Sequence, residues 1–156
     1  MRAVYLFESQ TRQRMKEIAM SAYEYTVSRV VDAPVEKVWK VWTQADHYEI
    51  WFHAVPQSVE LDVQPGGAWK ATLNVPDGSQ HPMTGTYHEV VENRRIVTAM
   101  DVPGGEPALM AMDLTGHNGQ TKIVLSQTCD TAEERDMAKQ GSELLLQWCD
   151  EYVVTI

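Results

Sequence analysis

The sequence predicts an α+β domain in which a curved antiparallel sheet of about seven strands packs against one long C-terminal helix. Three observations carry this. Between Ser58 and Cys129 the chain runs through strand-like segments separated by turns too short for a parallel crossover. The last segment has helical spacing behind a capping signature. Between the first strand and this meander lie two short helical patterns.

Residues 1–20 read apart from the rest, as an N-terminal extension with a short apolar opening and a polar stretch from Glu8 to Glu17. Met20-Ser21-Ala22 is an alternative start, so the domain proper is expected over 21–156. From Tyr23 to Val31 the run YEYTVSRVV alternates and is rich in β-branched residues, which suits a strand. Asp32-Ala33-Pro34 stops it, and Pro34 suits the first turn of a helix, where its missing N–H costs nothing. Val35, Val38, Trp39 and Trp42 then follow at i, i+3, i+4 and i+7. A second short helix is expected from Asp46 to Phe52.

Strands are expected over 58–63, 68–75, 82–91, 95–102, 108–114 and 121–129. The breaks between them are made by Pro65-Gly66-Gly67, Pro76-Asp77-Gly78, Pro103-Gly104-Gly105 and Gly116-His117-Asn118-Gly119. Thr131 with Glu134 three residues later forms a capping box, opening a helix to about Val153. Its apolar face is expected to be Met137, Gly141, Leu144, Leu145, Trp148 and Tyr152.

Composition narrows the function. The chain of 156 residues is 44% hydrophobic, with five Trp and eight Met, and has the length of one domain with a sizeable core. No window approaches the ~18 apolar residues of a membrane span, and the N-terminal apolar run is too short for a signal peptide. A soluble, cytoplasmic protein is therefore expected, with Cys129 and Cys149 as free, buried thiols. A net charge of −9 without clustered Lys or Arg argues against nucleic acid and anionic membrane surfaces as partners.

Strand alternation sets one face against the helix. Trp69, Ala71, Leu73 and Val75 share a side, as do Met83, Gly85 and Tyr87. Ile96, Thr98 and Met100, then Met110, Met112 and Leu114, then Ile123, Leu125 and Gln127 continue it. The result is a Met-rich, aromatic wall, which reads equally as filled core or as the lining of an adaptable cavity. Tyr87, Thr98 and Gln127 are its polar tips and need partners if buried. Gly141, mid-helix, marks a close approach to the sheet or room for a ligand, the first being the commoner reason.

Other chemistries find little support. His81 and His88 face opposite sides of a strand, His47 and His53 lack helical ligand spacing, and no Cys pair exists, so no metal site is expected. Glu60 and Asp62 share a strand face opposite the core-like Val59, Leu61 and Val63, which makes them solvated surface. Asp113 falls on the outer phase, and His117 in an exposed turn. There is no Gly-x-Ser-x-Gly elbow, and PGGAW is a hairpin turn without a following helix to bind phosphate.

Five segments in order resemble the START-like superfamily, also called SRPBCC or birch-pollen-allergen-like, and within it the heat-shock ATPase activator homologues. They are VVDAPVEKVWKVWT at 30–43, IWFHA at 50–54, VQPGGAWKATLNVPDG at 63–78, GTYHEVVENRRIVTAM at 85–100 and GQTKIVLSQT at 119–128. The resemblance implies a helix-grip fold with a cavity between sheet and C-terminal helix, entered near Trp51, Phe52 and His53. It departs from the pattern at Ser142, where the branch has tryptophan, at Trp148 one and a half turns later, and at His53, where a small residue is common.

On this basis the cavity is expected to be lined by Trp51, Phe52, His53, Trp69, Leu73, Met83, Tyr87 and Thr98. Met100, Met110, Met112, Leu125, Gln127, Gly141, Leu145 and Trp148 complete the expected lining. The expected partner is a small apolar or aromatic molecule, with no cofactor and with a homodimer allowed. The resemblance also admits a polyketide cyclase or aromatase, using His53, Tyr87 or a cavity carboxylate, and a co-chaperone-like interaction module.

Overall fold

A computed structural model describes residues 23–156, so the expected extension over 1–20 lies outside the described residues. Among the described residues there are seven strands and three helices. The order is β1 (Glu24–Val31), α1 (Val35–Thr43), α2 (Ala45–Trp51), β2 (Glu60–Leu61), β3 (Ala68–Asn74), β4 (Gln80–Val91), β5 (Arg95–Met100), β6 (Ala108–His117), β7 (Gln120–Thr128) and α3 (Ala132–Val153). The strands form one antiparallel sheet in the order β1-β7-β6-β5-β4-β3-β2. This is the α+β helix-grip architecture.

Meander strands pair with their sequence neighbours, and β1 closes the row against β7, with Val27 opposite Leu125 and Val31 opposite Thr121. Thr121 Oγ1 donates to Ala33 O at 2.8 Å, both residues being buried, and so ties the end of β1 to the sheet. Pro34 is the N-cap of α1 rather than its first residue: at ψ 155° its backbone is still extended, and its carbonyl accepts from Lys37 N and Val38 N. Gln44, extended, ends α1 and opens α2. Trp51 Nε1 donates to Val41 O at 2.6 Å, which locks the two short helices together.

The strand expected over 58–63 shrinks to Glu60–Leu61. Asp62 N reaches Ala68 O, Gly67 N reaches Gln64 O, and Gly66 N donates to Tyr87 O while Tyr87 N donates to Gly67 O. These bonds take the backbone groups that a longer ladder would use, and Gly66 at φ +83° makes the turn. A bulge at His88 shifts the register of β4 against β5, so Tyr87 and then Val90 face inward instead of alternating strictly. On the outer face Arg95 holds Asp113 through two bonds of 2.7 and 2.8 Å and Glu89 through one of 3.2 Å. Asp113 thus lies on the outer phase, as expected, but paired.

Thr131 caps α3, accepting from Glu134 N at 3.1 Å, while Glu134 Oε2 accepts from Asp130 N, one residue upstream of a reciprocal box. The buried stripe of α3 is Ser142, Leu146, Cys149 and Val153, at i, i+4, i+7 and i+11. The expected face is therefore rotated: Leu145, Trp148 and Tyr152 flank this stripe half-buried, Leu144 is 42% exposed and Met137 is 75% exposed. Small and sulfur-bearing residues at 142 and 149 take the seats nearest the sheet because the helix lies close to β1 and β7. Both cysteines are free, Cys149 buried and Cys129 half-buried.

Two glycines behave oppositely. A Cβ on Gly85 would come within 2.2 Å of Ala99 O and 2.6 Å of Trp69 Nε1, whereas one on Gly141 would meet nothing within 4 Å. Close packing, the commoner reason for a glycine at 141, is therefore not the reason here. Gly85→Ala is expected to lose about 1–3 kcal/mol through overpacking, and Gly141→Ala to gain up to ~1 kcal/mol of helix propensity. Thermal melts of the two variants check this; equal melting temperatures would contradict it.

Burial pushes the Cys149 thiol up to about 12, a shift that the hydrogen bond from Trp42 only partly opposes. Since the thiolate is the reactive form, a disulfide-exchange reagent at pH 8 should modify Cys129 in the native protein and reach Cys149 only on unfolding. Equal rates at both would show that α3 opens readily.

Candidate functional site

The inner face of the sheet, the two short helices and the middle of α3 enclose a cavity of about 310 Å³. Its floor is formed by alternate residues of the strands. Leu73, Met83, Tyr87, Thr98, Met100, Met110, Met112 and Gln127 all lie on the lining, with Trp69 at the β3 end. From α3 come Gly141, Leu145 and Trp148, and Phe52 closes the side of the short helices.

Three of the expected residues do not line it. Leu125 is fully buried beneath the sheet–helix contact, and Trp51 is buried in an aromatic cluster with Trp42, Tyr48 and Phe52. His53 is exposed, with a left-handed backbone at φ 58°, and its ring packs on Trp148 with centroids 4.2 Å apart, so it meets the lining only through that indole. The lining is instead exposed to solvent at Gly141 and Leu144, so the cavity opens beside the middle of α3.

Sequence reasoning misses Tyr48, Trp42, Leu61, Ala108, Ala138, Ser142 and Leu144 as lining residues, and assigns Ile96 only to the inner face. Tyr48 carries a signal: it lies three and four residues before Trp51 and Phe52, on their side of α2. Its ring stacks on Phe52 at 4.9 Å. Ser142 sits four residues before Leu146, in the buried stripe.

The polar groups are few. Ser142 Oγ lies 2.7 Å from Tyr25 Oη, and Tyr25 O–H donates to Gln127 Oε1 at 2.8 Å. A phenol has one proton, so Ser142 is the donor to Tyr25 and the chain runs Ser142 to Tyr25 to Gln127. Gln127 is left with its amide N–H groups unused. Thr98 Oγ1 lies 3.5 Å from Met110 O, a weak bond at best. Tyr48 and Tyr87 hydroxyls make no hydrogen bond to a described residue. Trp69 Nε1, pressed over Gly85, is a sealed donor with no partner among the described residues.

Burial raises the pKa of the Tyr48 phenol well above its ordinary value, and the nearby Tyr87 adds to this. Burial likewise raises Tyr87, with the Asp62 carboxylate as a second cause. Tyr25 is raised by burial against the opposing bond to Ser142. All three phenols therefore keep their protons at neutral pH. Among the described residues no Asp, Glu, Lys, Arg or His contributes to the lining. Nor do any three His, Cys, Asp or Glu side chains among them gather as metal ligands.

Several solved structures share this fold. The chain is similar to protein NE0264 from Nitrosomonas europaea, with 18% identity, a TM-score of 0.73, and 86% of this chain and 96% of that one covered. It is similar to an AHSA1-like protein from Aeromonas hydrophila, with 20% identity, a TM-score of 0.70, and 84% and 93% covered. DynU16, a protein in the dynemicin biosynthetic locus, matches with 20% identity and a TM-score of 0.69 over 85% of this chain and 48% of its own. These likenesses concern the fold. No curated protein matches. The family described as Activator of Hsp90 ATPase homolog 1-like protein matches residues 32–153, from the turn before α1 to the last residue of α3, and the chain belongs to that family.

Proposed function

We propose that this domain binds one small apolar or aromatic molecule in the cavity between the sheet and α3. The observation that carries the reading is an open cavity of about 310 Å³ whose described lining holds no charged side chain. That size falls at the small end of the ~300–1,000 Å³ typical of ligand pockets. Binding would come from apolar burial at roughly 25 cal/mol per Å², with methionine side chains adapting to the shape of the guest.

A cyclase that works by proton abstraction needs a group that can accept a proton near neutral pH. The cavity offers only tyrosines that hold theirs, and His53 stands outside it. Neutral phenols can orient a carbonyl but not abstract a proton, so the geometry favours binding over cyclase chemistry. The exposed Leu144 belongs to the cavity opening rather than to a separate docking face, which favours a small guest over a protein partner. The two unpaired thiols fit a reducing compartment, and we place the protein in the cytoplasm. Among the described residues no helix is long and apolar enough to cross a membrane.

A thermal-shift screen with small aromatic compounds tests the reading. A compound at about a hundred times its Kd should stabilise the folded protein by about 2.7 kcal/mol, raising the melting temperature by roughly 5–10 °C. Absence of any saturable shift would contradict it. Gly141→Phe places a ring at the opening without a backbone clash and should abolish the shift while leaving the far-ultraviolet circular dichroism unchanged. A shift that survives in this folded variant would put the binding site elsewhere.

A further inference from the structure

The register of the sheet aligns the polar groups of the cavity floor. Tyr25 on β1 pairs with Gln127 on β7, Gln127 with Met110 on β6, Met110 with Thr98 on β5, and Thr98 with Tyr87 on β4. These five residues form one row running across five strands, perpendicular to them. Between Gln127 and Tyr87 lie three strand spacings, roughly 14 Å of backbone at ~4.8 Å each. Either side of this row the floor is apolar: Met112, Ile96 and Met100 are its neighbours.

Both ends of the row present hydrogen-bond donors without acceptors. At one end Tyr87, 4% exposed, has an unpartnered hydroxyl, and Tyr48 on α2, which lines the same cavity, carries a second. At the other end Gln127 has its carbonyl taken by Tyr25, which in turn is held by Ser142, so its amide N–H groups are what it offers the cavity. Unlike the sealed Trp69 Nε1, these groups open into the cavity, so a guest that displaces water from them must supply the acceptors; no carboxylate or carbonyl of the described lining side chains other than that of Gln127 does so. Cationic groups are equally absent from that lining, so an anion would enter without a countercharge.

We propose that the ligand is an uncharged, elongated and largely apolar molecule that lies along this row and carries an oxygen acceptor at each end, one for Tyr48 and Tyr87, the other for Gln127. This rests on the cavity being a binding site, and it adds the ligand's charge, polarity pattern and direction. A fatty-acid-like anion is disfavoured, and so is a pure hydrocarbon, which would leave both donor ends unmatched.

Three naphthalenes of similar shape separate the possibilities by equilibrium dialysis at pH 7: 2,6-diacetylnaphthalene, 2,6-diisopropylnaphthalene and naphthalene-2,6-dicarboxylate. The diketone is expected to bind at least about tenfold more tightly than the dicarboxylate, whose charges find no partner. Tyr87→Phe and Gln127→Leu should each weaken the diketone by about three- to tenfold and leave the hydrocarbon unweakened. Circular dichroism and binding of the hydrocarbon show that the variants are folded. Equal affinity for diketone and dicarboxylate, or a diketone insensitive to both substitutions, overturns the inference while the binding cavity stands. If none of the three binds, the cavity reading itself fails.

Discussion

The seating of the second half of α3 is the constraint on which the remaining structure depends. Leu146, Cys149 and Val153 are buried against β1 and β7, and Trp42 Nε1 donates to Cys149 Sγ at 3.3 Å from the other side. Arg29 on β1 pairs with Asp150 at 2.7 Å, and His47 Nδ1 on α2 lies 2.7 Å from Tyr152 Oη. A helix of 22 residues is stiff and about 33 Å long, so fixing its end fixes the direction of its beginning. Between that buried stripe and the inner face of strands β3 to β6, the side chains from Ala138 to Trp148 leave a space unfilled, and the cavity is the consequence.

What lines that gap follows from the same geometry. The strands there turn alternate residues upward, and these are methionines and aromatics with long reach. On the helix side Ala138, Gly141 and Ser142 are small, so the gap is left unfilled beneath them, while Leu144, Leu145 and Trp148 bound it further along the helix. At the β3 end the opposite holds: the Trp69 indole occupies the space that the missing Cβ of Gly85 leaves, and the wall there is closed. Among the described residues the hydroxyl and amide groups of the lining are those of the floor row, of Tyr48 and of Ser142. Low polarity around these phenols keeps them protonated, which makes them permanent donors rather than acid–base groups.

Much of this is legible in the sequence because short turns and strict alternation leave few alternatives. Period-two runs assign Trp69, Tyr87, Thr98, Met112 and Gln127 to one face, and the pairing registers put them there. Helix spacing is less informative. The size and apolar character of Met137, Leu144 and Trp148 draw the expected face of α3 toward them, whereas the buried seats go to Ser142, Leu146, Cys149 and Val153. Apolarity alone does not reveal how close a helix lies to its sheet. The resemblance places Trp51 and His53 at the opening, but a hydrogen bond to Val41 holds Trp51 in the aromatic cluster and the His53 ring packs on Trp148 from outside the lining, neither being visible in composition. Tyr25 is hidden for another reason: its partner Gln127 is 102 residues away, and only the closure of β1 on β7 brings them together.

The central claim is that the space beneath the middle of α3 is open to a guest. Methyl-resolved NMR of the protein labelled at its methionines tests it directly, because Met83, Met100, Met110 and Met112 line the cavity while Met137 lies outside it on α3. On titration with naphthalene, saturable shifts confined to the four lining methyls, with Met137 unmoved, are the expected result. Shifts at Met137 without movement of the four would contradict the account, since they would place the guest on the surface and leave the interior a filled core.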